Sequence, residues 1–395
     1  MRIGILSRQA QSYSTRRVRD AARARGHQVL VLDTLKFSLL SKHQAPELYY
    51  YNRQCPHFDA VIPRIGASVT FFGLAVVRQF EQLGVYVAND SVAIARSRDK
   101  LRTMQTLSRY DVGITATAFV RDENDILPAI ERVGGVPVIV KVIEGTHGVG
   151  VILAESLRIA EAIIQTLLSA RQNVLIQKFV QESEGKDIRA FVVGDRVVAA
   201  MRRSAQEGEF RSNVHRGGLA EPIALGPDYE RTAIRAAQIL GLRIAGVDML
   251  ESNEGPQVLE VNSSPGLEGI ETVTGADVAG AIVEDVEKHV LFPNVDLRQR
   301  LRLTGGYGIV DLPIHNMPDV EGKTLAETPL RERNIQVLSI RRENEVIANP
   351  RGNETVRKGD ILLCYGELHE LRLLTPGENR RKSVIKRTKK TGNST

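Results

Sequence analysis

The stretch from Gly246 to Gly266, Gly-Val-Asp-Met-Leu-Glu-Ser-Asn-Glu-Gly-Pro-Gln-Val-Leu-Glu-Val-Asn-Ser-Ser-Pro-Gly, constrains this chain more than any other. Val247 to Leu250 and Val258 to Val261 read as two strands, and the polar, Gly and Pro residues from Ser252 to Pro256 supply a hairpin connection. Along the second strand Glu260 and Asn262 are two apart and share a face, and Asp248 on the first strand can lie opposite them. An isolated acid in a turn is ordinarily just solvated. Here, however, Asp248 stands between Val247 and Met249, and Glu260 between Leu259 and Val261, inside apolar strands. Two carboxylates and an amide oxygen converging there suit hard Mg²⁺, which leaves other positions for water and nucleotide phosphates. The Asn-Ser-Ser-Pro-Gly that follows is a tight loop whose backbone N–H groups suit an anion.

A chain of 395 residues is too long for one small core and implies two to four domains. Its apolar start is too short for a signal peptide, no segment approaches a membrane span, and Cys55 and Cys364 lie far apart without metal-ligand spacing. A reducing cytoplasm is the expected setting. The net charge of +6 hints at nucleic acid, but seven Lys and Arg residues between Arg380 and Lys390 carry it, and removing them leaves −1 for the remainder. Any polyanion contact is therefore expected of the tail, whose simplest reading is a solvated disordered end.

Residues 1 to 93 alternate strand and helix: Ile3–Leu6, a helix from Ser14 to Arg25 stopped by Gly26, Val29–Leu32, Ala60–Ile62, a helix from Ser68 to Leu83, and Gly84–Val87. This predicts a small parallel α/β domain. No G-x-G-x-x-G follows the first strand, so a dinucleotide site is not supported. Asn89-Asp90-Ser91 caps one helix that carries Arg98-Asp99-Lys100.

From Ile114 to Val290 the organisation changes. Val136 to Ile143 is a strand with Lys141 inside it, followed by a glycine-spaced loop with Gly145, Gly148 and Gly150. A lysine buried in a strand needs a partner, and a phosphate cradled by the loop backbone would be one; His147 reads as incidental. After a helix from Glu155 to Arg171, Val174–Val180 is an apolar strand ending in a polar break, which reads equally as a core strand or as a site where backbone groups meet an adenine edge and Phe179 packs on the ring. Asp187–Val193 and Arg196–Arg203 form a hairpin through Gly194-Asp195. Arg189, Arg202 and Arg203 are candidate clamps for carboxylate or phosphate. A polar loop from Glu209 to Gly218 reads as functional, and helices run from Tyr229 to Leu240 and Ala276 to Val290.

A strand lysine before a glycine-rich loop, Gln-Lys-Phe-Val, Asp-Ile-Arg, Arg-Ser-Asn with His-Arg-Gly-Gly, Asp248 and Glu260-Val-Asn262, in this order, resemble the ATP-grasp ligases. Within them residues 1 to 291 resemble the RimK family, which adds glutamate to the C-terminus of ribosomal protein S six. The resemblance implies a pre-ATP-grasp parallel α/β domain (1–93) followed by an ATP-grasp fold of two α+β subdomains (94–291), cytoplasmic in location. It implies phosphate contacts from Lys100 and Lys141, an adenine frame from Gln177, Lys178, Phe179 and Val180, and Asp187 on the ribose side with Arg189 near the nucleotide. Arg211, Ser212 and Asn213 would face phosphates and metal, and Asp248, Glu260 and Asn262 would hold Mg²⁺ or Mn²⁺, two ions in all. The implied reaction forms an acyl phosphate from ATP, which the glutamate amine attacks, with Arg203 and the Ser264 to Gly266 backbone as oxyanion donors. After a linker (292–306), residues 307–374 resemble the C-terminal regulatory domain of TrkA potassium-uptake proteins. That implies a small α+β ligand-binding or dimerising module, hence a homo-oligomer, ahead of a basic tail (375–395) suited to ribosome or RNA contact. A ligase acting on another acceptor, a carrier protein or a pterin or deazaflavin cofactor, and a non-catalytic nucleotide sensor are the alternatives.

Overall fold

Strand β1 (Arg2–Leu6) is fully apolar after Arg2 and carries parallel neighbours on both sides. The computed structural model describes residues 1–43, 46–142, 150–206, 218–291, 307–315, 317–343 and 345–374. These fall into two units, Met1–Pro293 and Asn294–Thr395.

In the first unit, helix α1 (Tyr13–Ala24), capped by the Ser12 hydroxyl, leads from β1 to β2 (Gln28–Leu32). Gly26, at φ 84°, makes the turn between them. A three-stranded antiparallel sheet, β3 (Phe37–Leu40), β4 (Glu47–Tyr50) and β5 (Arg53–Gln54), comes next, a feature the sequence reading did not anticipate. Then follow β6 (Ala60–Pro63), α2 (Thr70–Gln82) and β7 (Tyr86–Val87). The sheet order β2-β1-β6-β7 is all parallel, as expected from the alternating pattern.

The single helix expected after Asn89 is two: α3 (Ser91–Arg98) and α4 (Lys100–Leu107). Asp99 leaves the helical region and its carboxylate accepts from Arg102 N at 2.9 Å, so it starts a helix instead of continuing one. The next layer is an antiparallel sheet of order β10-β9-β11-β8, from β8 (Thr117–Val120), β9 (Val138–Val142), β10 (Val151–Ala154) and β11 (Val174–Lys178). Helices α5 (Ile126–Arg132) and α6 (Leu157–Ser169) close its apolar core.

A five-stranded sheet of order β14-β13-β12-β15-β16 completes the unit, built from β12 (Lys186–Val193), β13 (Arg196–Ser204), β14 (Leu219–Pro222), β15 (Ile244–Ser252) and β16 (Gly255–Asn262). Helix α7 (Pro227–Leu240) covers one face through Ala233, Ala236, Ala237 and Leu240. On the other face, Phe191 and Met201 pack with α8 (Glu268–Thr274), α9 (Val278–Leu291) and the N-terminal residues Ile3, Ile5, Val18 and Ala60 in one core. Around that core Arg17 pairs with Glu271 at 2.8 Å, and Tyr13 donates to the same carboxylate. Asn89, in the left-handed region at φ 75°, staples the layers together. Its amide donates to Ile244 O and Ser263 O and accepts from the Arg243 and Ile244 N–H groups.

The second unit is a sheet of order β17-β20-β18-β19 from β17 (Tyr307–Pro313), β18 (Gln336–Arg342), β19 (Glu345–Ala348) and β20 (Ile361–Glu367), with α10 (Leu368–Leu374) at its end. The helix expected from Leu325 to Arg333 is only a short 3₁₀ turn, Leu325–Glu327. Thr324 and Glu327 form a reciprocal cap around it, after which Thr328 is extended and Pro329 prevents continuation. Arg342 reaches the buried Asp360 with two hydrogen bonds at 3.0 and 2.9 Å, tying β18 to the turn before β20.

Candidate active site

The hairpin of β15 and β16 turns through Asn253 and Glu254, and its register sets Asp248 directly across from Glu260 and Gly246 across from Asn262. A bulge after Asp248 resets the pairing so that Met249 faces Val258. In register, Met201, Arg189, Asp248 and Glu260 form a row across β13, β12, β15 and β16, and Asp187 faces Arg203 beside it. The alternate residues Ile188, Ala190, Val247 and Met249 point to the core under α7. Alternation thus packs these apolar residues under α7 on one face and puts the row of charges on the other, beside Phe191 and Met201.

That face is a network of ion pairs. Arg189 grips Asp248 with two hydrogen bonds of 2.7 Å each, and Arg203 grips Asp187 at 2.6 and 2.5 Å while reaching Asp248 at 3.1 Å. Asp187, Arg203 and Asp248 are all buried. Burial opposes the charge on Arg203, but Asp248 and Asp187 outweigh it and raise its pKa. Burial likewise opposes the Asp248 carboxylate, and Arg189 and Arg203 overcome this and hold it below the usual carboxylate range. Arg202, on the alternate face, instead pairs with Glu251 at 3.1 Å and Glu221 at 3.2 Å.

Lys141 comes from the other sheet, opposite Leu175 and Val151 in its ladder. Desolvation pushes its ammonium down to about 8; Glu260 works against the shift and Lys100 adds to it. Lys141, Lys100 and Glu260 are therefore within electrostatic reach, so the four-stranded sheet, the start of α4 and the hairpin each contribute a charge to one neighbourhood. The adenine-frame residues divide. Gln177 is buried and donates to Thr117 at 2.9 Å, Val180 is buried, Phe179 is half-buried, and Lys178 is exposed beside Glu254 at 3.3 Å. Gly150, at φ 79°, lies with its Cα against Val142, so the end of the glycine loop is tightly held. Gly145, His147 and Gly148 of that loop, and Arg211, Ser212 and Asn213, lie outside the described residues, as do the linker and the basic tail.

Pro265 fits against Gly246, where a side chain would come within 2.9 Å of its ring, and this seats the loop after β16. Ser264 in that loop is half-buried, with its hydroxyl enclosed and without a hydrogen-bond partner among the described residues, and Gly266 is exposed. The sequence reading passed over two residues here. Arg64, immediately after β6, donates to Pro265 O at 2.8 Å, and Arg98, at the end of α3, donates to Ile65 O. An arginine directly following a fully buried apolar strand was the available signal.

Among the described residues no group of three or more His, Cys, Asp or Glu is arranged for a metal. Asp248 and Glu260 stand opposite each other in register, with Asn262 two positions along, and all three offer hard oxygens of the kind Mg²⁺ takes. The set fits such an ion, with Asp248 sharing its remaining lone pairs alongside Arg189.

Two facing sheets with a strand lysine on one and a carboxylate hairpin on the other define an ATP-grasp fold, and the chain is an ATP-dependent ligase. It belongs to the RimK family: the RimK-like ATP-grasp domain matches residues 97–286, the RimK PreATP-grasp domain residues 1–94, and a TrkA-C domain residues 309–376. A probable alpha-L-glutamate ligase of Rhodopirellula baltica is 57% identical over 389 residues, 98% of this chain and 96% of that protein. One of Azotobacter vinelandii is 54% identical over 289 residues, 73% of this chain and 96% of that protein. Among solved structures, the RimK domain protein ATP-grasp from Sphaerobacter thermophilus shares the fold at TM-score 0.55 and 23% identity, covering 73% of this chain and all of that one. The ATP-grasp ligase PsnB, complexed with ADP, Mg and a phosphomimetic variant of its minimal precursor, does so at TM-score 0.58 and 22% identity, covering 73% of this chain and 97% of that one. Among the described residues no helix is long and apolar enough to cross a membrane.

Proposed function

We propose that this chain adds L-glutamate to the C-terminal carboxylate of a protein, ribosomal protein S six, with ATP cleaved to ADP and phosphate through an acyl phosphate. The observation that carries the reading is the 57% identity along nearly the whole chain to a protein named a probable alpha-L-glutamate ligase. The geometry supports it: a half-buried lysine of depressed pKa faces a carboxylate hairpin, as binding a triphosphate and its counter-ion requires. The cytoplasm is the proposed setting.

Lys141 and Lys100 take the phosphates, and the backbone from Gln177 to Val180 meets adenine. Asp187 takes the ribose side, and both of its oxygens accept from Arg203, which fixes that guanidinium. Arg211, Ser212 and Asn213 complete the phosphate side. Asp248, Glu260 and Asn262 hold Mg²⁺ or Mn²⁺, which when bound neutralises phosphate charge and orients its oxygens. Arg203, fixed by two aspartates, presents a preorganised cation to the oxyanion formed when the glutamate amine attacks, aided by the Ser264 to Gly266 backbone. Catalysis is mainly positioning, so no activated nucleophile is needed. The C-terminal unit serves regulation or self-assembly, and the tail favours ribosome-bound acceptor.

The test is intact-mass analysis of the purified acceptor after incubation with the chain, ATP, Mg²⁺ and each amino acid in turn. Steps of one glutamate residue support the reading. Glutamate added only to another carboxylate acceptor would reassign the acceptor, and no ATP-dependent mass gain on any acceptor would end it.

A further inference from the structure

The N-terminal sheet has a topological switch point. The chain leaves β1 for β2 on one side, then crosses to β6 on the other, so a crevice opens between the carboxyl ends of β1 and β6. Open α/β sheets bind ligands at such crevices. Arg64 is the first residue beyond β6, on that edge. It donates to Pro265 O of the hairpin loop, and its neighbour Ile65 accepts from Arg98. Two guanidiniums are thus held side by side by backbone carbonyls, and among the described residues neither makes a hydrogen-bonded ion pair. Burial and the proximity of Arg98 push Arg64 down to about 10. Burial also lowers Arg98, opposed by the charge of Glu260. Among the described residues, Arg98 Nε and, in the two residues before Pro265, the hydroxyls of Ser263 and Ser264 are buried with no hydrogen-bond partner.

Adjacent half-buried cations with an unused donor are costly unless an anion joins them. We propose that Arg64 and Arg98, with the Ser263 and Ser264 hydroxyls, form a carboxylate subsite for the incoming glutamate. This rests on the glutamate-ligase reading above. Glu260 bears electrostatically on both Arg98 and Lys141, and Arg64 is bonded to the loop that would flank the acyl carbon. In the ligation only the amine of glutamate reacts. Both its carboxylates stay charged throughout, and a fixed guanidinium pair matches such a group by bidentate hydrogen bonds. One carboxylate held here leaves the amine free to reach the acyl phosphate.

The experiment measures KM and kcat for the full chain and its Arg64→Gln, Arg98→Gln and Ser264→Ala variants, varying L-glutamate, ATP and acceptor separately. L-glutamine and glutamate 1-amide serve as substrates lacking one carboxylate each. Losing a half-buried, fixed partner of a carboxylate should raise KM for glutamate by about thirty-fold or more in each arginine variant, with KM for ATP within about threefold. The variants should also lose at least about tenfold of the discrimination against one amide analogue, which identifies the carboxylate held. A glutamate KM within threefold in both arginine variants overturns the subsite, as does a rise confined to acceptor or shared equally with ATP. If Arg64→Gln does not unfold cooperatively, Arg98→Lys and Ser264→Ala are read by the same criteria. Wild type that cleaves ATP yet adds no glutamate overturns the functional reading and this proposal together. Wild type that adds glutamate while the variants keep its KM overturns the subsite alone.

Discussion

Replacing Lys141 by Met should make the nucleotide-free protein more stable while weakening its grip on ATP. The shift of the Lys141 pKa from 10.5 to about 8 means that burial disfavours its charge. At about 1.4 kcal/mol per unit this is ~3 kcal/mol, taken down to roughly 2 kcal/mol because the side chain is only half-buried. Below pH 8 the ammonium is protonated both folded and unfolded, and the folded state carries the full penalty. Between about 8 and 10.5 the unfolded chain holds the proton and the folded chain does not, so this penalty shrinks as pH rises. Met keeps most of the volume and removes the charge. At pH 7 the variant should therefore gain up to about 2 kcal/mol, a rise of a few degrees in Tm, and most of this should vanish by pH 10. Affinity for a non-hydrolysable ATP analogue should fall by about 2–5 kcal/mol, the cost of removing one member of a desolvated charge pair. Denaturant melts at pH 7 and 10, with titration calorimetry at pH 7, measure both. A variant less stable at pH 7 by a pH-independent amount, with unchanged nucleotide affinity, would refute the assignment of Lys141 as a held cation awaiting phosphate.

Bound phosphates should restore the proton to Lys141, so nucleotide affinity should fall about tenfold per unit as pH rises above 8, with proton uptake near pH 8. Calorimetry in two buffers of different ionisation heat reads this uptake directly, and none at all would contradict it. Glu260→Gln should abolish turnover and leave cooperative unfolding intact, since the metal site loses one of two anionic oxygens; near-normal activity would sink the metal assignment. Arg203→Met leaves buried Asp187 without its guanidinium and should cost about 3–5 kcal/mol in chemical denaturation, against less than 1 kcal/mol if the pair is incidental. A chain ending at Pro293 should fold and still ligate glutamate to free acceptor; if it is soluble and binds ATP but forms no amide, the C-terminal unit completes the active site.

The hairpin was legible because its two strands carry apolar residues on both sides of each acid, so only one register buries the core and pairs Asp248 with Glu260. The parallel N-terminal sheet was legible from its short apolar runs separated by helical stretches. What escaped depends on partners distant in sequence. That Arg203 would be fixed between Asp187 and Asp248 follows from the pairing of β12 with both β13 and β15, which no local pattern encodes. The break at Asp99 had a local signal, an aspartate able to cap the Arg102 N–H, but helical periodicity on both sides masked it. Strands β3 to β5 alternate poorly and were overlooked for that reason. Arg64 and Arg98 were given no role because their partners, Pro265 O and Ile65 O, are backbone carbonyls that no sequence pattern marks.

The core shared by β1, α1 and β6 with Phe191, Ile270 and Ile282 has a consequence for how the chain is made. The first 93 residues emerge long before their packing partners, and Asn89 cannot form its bonds to Ile244 and Ser263 until the hairpin exists. At roughly 5–20 residues per second, synthesis of the intervening ~190 residues takes on the order of 10–40 seconds. During that interval the α1 face is an unsatisfied apolar surface on a nascent chain, and such non-local closure is also slow in itself. Chaperone dependence should therefore concentrate in this window, and swapping rare codons for common ones between residues 94 and 280 should raise soluble yield without altering the finished protein.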